Sequence, residues 1–71
     1  MDKKVAQHIL QIALSFSGDL DHSVAVVEAS SDPAAAKAYR RAVARVLTDV
    51  LTEILTPIYN EHPDLIPKEL Q

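Results

Sequence analysis

The chain has 71 residues, a formal charge of −3 and no cysteine, so it has room for one domain, 1–71, and none for a disulfide or a thiolate metal site. A pI near 5.4 argues against a general attraction to nucleic acid or to an anionic membrane. At this length a folded monomer buries only about 60 % of its unfolded-chain surface, and oligomerisation commonly makes up the difference.

Lys3 and Lys4 stand ahead of an apolar stretch, Val5 to Phe16, in the order of a secretory leader. Gln7, His8 and Gln11 interrupt that stretch, and its longest apolar run, Ile12 to Leu14, is too short for a signal core or a membrane span. The expectation is a soluble cytoplasmic protein with no membrane association.

Val5, Ile9, Ile12, Phe16, Leu20, Val24 and Val27 recur at steps of three and four, which predicts one apolar helical face over residues 2–29. Gly18 interrupts it at a cost of about 1 kcal/mol relative to Ala. Asp19, next in sequence, could cap a new helix. The first arm is therefore expected to be kinked at Gly18, or broken there into helices at about 2–17 and 20–30. A strand at Ser23 to Ala29 has no second strand to pair with and is set aside.

Ser30, Ser31 and Asp32 form a polar connection of the length that joins antiparallel helices. Asp32 is a natural N-cap and Pro33 a natural first helical residue. Ala34, Ala35, Ala36 and Ala38 then supply high propensity. The second arm continues to His62, and each arm would span roughly 42–44 Å at 1.5 Å per residue. The predicted fold is all-α: an antiparallel helical hairpin in which residues whose numbers add to about 63 lie side by side.

On the second arm Tyr39, Val43, Val46, Leu47, Val50, Leu51, Ile54 and Ile58, with Ala42, cover about half the circumference at 100° per residue, and Leu55 extends the arc. One neighbouring helix cannot cover so wide a surface. These eight residues are the candidate self-association interface, and two hairpins would close as a homodimeric four-helix bundle. A groove for another protein's helix is the alternative.

Pro57 falls inside this arm, where it removes the hydrogen bond to the Glu53 carbonyl. Either Thr56 caps a new turn or the arm bends, and the continued phase of Ile58 with Ile54 favours a bend. His62-Pro63 and Ile66-Pro67 end the helix. The tail, 63–71, carries Leu65, Ile66 and Leu70 and is expected to dock near Val5 and Ile9; a free recognition peptide is the alternative.

Charge is blocked along the chain: +1 over residues 1–18, −4 over 19–32, +4 over 33–48 and −4 over 49–71. The basic block, Lys37, Arg40, Arg41 and Arg45, is a candidate patch for a partner or for ion pairs. The hairpin register sets Arg41 near His22, Arg45 near Asp19 and Lys37 within reach of Glu28, so pairing accounts for the block more simply than nucleic acid does. Asp19 and His22 lie three apart with no third ligand at helical spacing, a weak basis for metal-dependent chemistry. Asp49 and Glu53, with Arg45, read as a solvated ladder. Gly18 is the only glycine, so no phosphate-binding loop is present, and no cofactor motif appears. The functional expectation is a non-enzymatic interaction or regulatory protein, with nucleic-acid binding through the basic face as the second class and an activity at Asp19 and His22 as the third.

Overall fold

A computed structural model describes residues 1–70 of the chain, Leu70 by its backbone alone. The side chain of Leu70, expected to dock with the tail, lies outside the described residues. Helix α1 spans Lys3–Ser30. It runs unbroken through Gly18, whose φ is not positive, so the alternative of two separate helices does not occur. The apolar phase on both sides of Gly18 outweighs its entropic cost. Asp19 sits mid-helix and caps nothing.

After a two-residue connection the chain turns into α2, Pro33–Asp49. Its start is as the sequence dictates: the Asp32 carboxylate accepts a hydrogen bond from the Ala35 amide at 2.9 Å, with Pro33 in the first turn. The two arms lie antiparallel in a rod with extents of 44 × 21 × 16 Å. That makes an all-helical hairpin, with no strand among the described residues.

The second arm does not continue as a plain α-helix. Residues Val50–Leu55 form a π-helical turn, in which the Thr56 amide donates to the Leu51 carbonyl five residues back. Helix α3, Thr56–Glu61, follows with helical dihedrals at the junction and no side-chain cap. Thr56 therefore does not cap a new turn, and the second arm runs on through it with helical dihedrals. Pro57 has no amide to donate and its ring crowds the carbonyl four residues earlier. Widening the preceding turn absorbs that conflict. Thr48 and Thr52 support it by donating their hydroxyls to the carbonyls of Ala44, at 2.8 Å, and Thr48, at 2.9 Å.

The wide turn shifts the helical phase by one residue, with consequences for the core. Val50, Leu55 and Ile58 are buried, at spacings of five and three, whereas Ile54 is exposed. Ile54 was the residue that unperturbed periodicity places inside. On α1 the buried residues are Ala6, Leu10 and Ala13, and they close with Val50, Leu55 and Ile58 into one cluster. Nearer the loop Ala36 and Val43 are buried. On α1 two of the three buried residues are alanines, which present little bulk to the second arm.

The tail is docked. Pro63–Leu65 forms a short 3-10 turn, and Leu65 packs on the core cluster together with Ile9 and Tyr59. Lys3 forms an ion pair with Asp64. The His62 Nε2 lies 2.8 Å from the Met1 carbonyl oxygen.

Candidate functional site

Turning the stripe Ala6, Leu10, Ala13 toward the second arm leaves most of the larger side chains of α1 off to one side. Of the seven residues that form its apolar repeat, Val5, Ile12 and Phe16 are 49, 54 and 47 % exposed, and Ile9, Leu20, Val24 and Val27 are half-buried. The face the sequence marks as buried is therefore only grazed by the partner arm. On the second arm Val46 and Ile54 are each 41 % exposed.

These exposed residues belong together. On α1 they stand about 100° from the stripe Ala6, Leu10, Ala13, and on α2 Val46 stands roughly 60° from Ala36, Val43 and Val50, at 100° per residue. Both displacements have the same rotational sense about their own helix axis. Because the arms run in opposite directions, both flanks come to the same side of the hairpin. Ile54 reaches that side through the phase shift of the π turn. The hairpin register sets Phe16 level with Val46 and Ile9 level with Ile54. A continuous apolar face results, built from both helices.

The eight residues expected to form a self-association surface on the second arm divide accordingly. Val43, Val50 and Ile58 are used inside the hairpin. Tyr39 and Leu47 are half-buried, and Val46, Leu51 and Ile54 are exposed. Leu51 falls on the opposite side of the hairpin, as does Leu14 on α1. The Tyr39 hydroxyl is occupied, 2.6 Å from the Ser23 hydroxyl. What the sequence reading missed is the share of α1 in the exposed face. The signal was present in Ala6 and Ala13, small residues one step from the large ones on the wheel.

The accessible surface adds a measure of size. It is 5217 Å², against about 4,400 Å² for a folded monomer of this mass. A rod exposes more than a sphere, which accounts for part of the difference.

The basic block is only partly paired. Arg40, not Lys37, forms the ion pair with Glu28. Among the described residues Lys37, Arg41 and Arg45 make no ion pair, so the expected partnerships of Arg41 with His22 and Arg45 with Asp19 are not formed within the hairpin. A shallow depression of about 370 Å³ lies beside the loop, lined by Glu28, Ser31, Pro33, Ala36, Lys37 and Arg40. Its basic side chains face an internal acid, which neutralises part of their field.

Asp19 and His22 are exposed. Among the described residues no group of three or more His, Asp or Glu side chains is arranged to hold a metal. Glu53 is exposed as well, which removes the burial cost that would attach to an unpaired carboxylate. At the open end the N-terminal ammonium pairs with Glu61, and its hydrogen bond holds the Glu61 carboxyl below its ordinary value. The Lys3 ammonium does the same to Asp64, again chiefly by a hydrogen bond. These contacts fasten the end of α3 and the start of the tail to the N-terminal end of α1.

No helix among the described residues is long and apolar enough to cross a membrane. Comparison with protein-family models, with curated proteins and with solved structures gives no match.

Proposed function

We propose that this chain is a non-enzymatic interaction protein that works as a homodimer, two hairpins closing face to face into a four-helix bundle. The observation that carries the reading is the apolar face shared by the two arms, with Val5, Ile12, Phe16, Val46 and Ile54 exposed on it. Burying that face against an identical one removes apolar side chains from water on both copies and supplies the second layer that a two-helix hairpin lacks. The ends of the bundle and the outward faces of its helices then remain for a further partner, which is how a protein this small can serve regulation.

Phe16→Asp tests the reading. Phe16 is half-exposed in the hairpin, so the charge is tolerated by a monomer but costs several kcal/mol if buried in a bundle. Light scattering is expected to show a dimer for the parent chain and a helical monomer for the variant. A variant that dimerises as tightly as the parent would refute the assigned face.

Nucleic-acid binding is the second reading, because Lys37, Arg41 and Arg45 form a stripe at four-residue spacing without ion-pair partners among the described residues. A gel shift with duplex DNA at low and high salt separates it from the first: retardation that disappears with salt supports it, and no retardation at low salt removes it.

A further inference from the structure

We infer that the two copies pair with their loops at the same end, so that α1 of each lies along the second arm of the other. This orientation rests on the dimer reading above and adds to it. A closed pair of identical hairpins joined by one face has two simple two-fold arrangements. With the axis parallel to the helices, α1 faces the partner's second arm at equal height. With the axis perpendicular to them and in the interface plane, α1 faces α1, the second arm faces the second arm, and the loops lie at opposite ends.

Side-chain volume separates the two. The exposed flank of α1 carries Ile12, Phe16 and, half-buried, Leu20, while the same flank of α2 carries Ala35 and Ala42 beside the exposed Val46 and the half-buried Tyr39. Setting α1 against the second arm brings Phe16 level with Val46 and Leu20 level with Ala42, a larger side chain opposite a smaller one in both layers, while Ile9 meets Ile54. The other arrangement sets the bulkier flank of α1 on itself along one helix pair and the smaller flank of α2 on itself along the other. Interiors pack near crystal density, and facing positions that alternate large with small reach it without voids or crowding.

Charge points the same way. Asp19 and Arg45 are level in the hairpin, both exposed, and unpaired among the described residues. They do not meet within one chain because each sits on the outward flank of its own arm. In the loops-together dimer the outward flank of α1 borders the outward flank of the partner's α2, and Asp19 comes beside Arg45 of the second copy. Two-fold symmetry makes the contact twice. His8 and Glu53, likewise level and exposed, become neighbours in the same way. The acidic block over residues 19–32 then runs along the basic block over 33–48 of the other copy.

The natural absence of cysteine makes the test direct. Ser31→Cys, in the exposed loop, carries a nitroxide, and double electron–electron resonance reads the distance between the two loops of the dimer. Helix axes about 10 Å apart place the labels within roughly 30 Å of each other. Loops at opposite ends of arms about 42 Å long place them beyond roughly 40 Å, and that distance would overturn the orientation while leaving the dimer intact. A labelled chain that sediments as a monomer would instead remove the dimer reading beneath it. As a second measurement, Asp19→Lys is expected to weaken dimerisation roughly fivefold, and Arg45→Glu in the same chain to restore it. Losses that add where they should cancel would overturn the facing of Asp19 and Arg45.

Discussion

Replacing Gly18 by alanine tests whether α1 is one helix. A Cβ built on Gly18 meets nothing within 4 Å, and its φ is not in the left-handed region, so the methyl group brings neither a clash nor strain. It lies twelve residues or more from the end of a 28-residue helix, where fraying does not dilute the effect. The gain is then the full propensity difference, about 1 kcal/mol, from the smaller backbone entropy of the unfolded alanine. For a domain of this size that raises the melting temperature by roughly 4–8 °C. Thermal and urea melts followed by circular dichroism at 222 nm read it, at fixed protein concentration because a dimer's melt depends on concentration. An unchanged or lowered midpoint would refute the continuous helix, since only a chain that bends or breaks at Gly18 has a use for glycine there.

The π turn gives a paired expectation: Leu55→Ala, at a buried position, lowers folding stability by about 2–4 kcal/mol, whereas Ile54→Ala one residue earlier leaves the hairpin within about 1 kcal/mol and weakens dimerisation. Chemical denaturation of both variants decides it, and the reverse order would mean that the arm is a plain α-helix in solution. Leu65→Ala is expected to cost about 1–2 kcal/mol because Leu65 packs on the core cluster; an unchanged melt would mean that the tail is free. At the open end, the carboxyls of Glu61 and Asp64 are held below their ordinary values by the N-terminal ammonium and Lys3. Groups lowered in the folded state contribute stability that is present above the unfolded pKa and is lost as pH falls through the folded one. Stability is therefore expected to fall on acidification below about pH 4. Lys3→Met should move the Asp64 titration, followed by NMR, back up toward its ordinary value; a titration that stays put would deny the contact.

Local chemistry explains what the sequence discloses. Asp32 and Pro33 carry the start of α2 in their own side chains, and the turn, the equal arms and the docking of Leu65 follow from spacing and helix breakers. Pro57 announces a disturbance but not its form. A bend and a widened turn both satisfy a residue without an amide, and they place opposite members of the pair Ile54 and Leu55 in the core. The rotation of α1 about its own axis is hidden for a related reason. Its large residues and its alanines define neighbouring stripes, and only the approach of a second backbone determines which stripe is covered. Ion pairs are the least legible of all: Glu28 lies within reach of more than one long, flexible cation, and the structure joins it to Arg40.

Sedimentation equilibrium of the unmodified chain, at micromolar concentration and neutral pH, tests the central claim most directly. A two-helix hairpin that leaves an apolar face open on both arms is expected to sediment at twice its 7.8 kDa mass and to dissociate on dilution. A single species of 7.8 kDa, folded and melting cooperatively at every concentration, would contradict it.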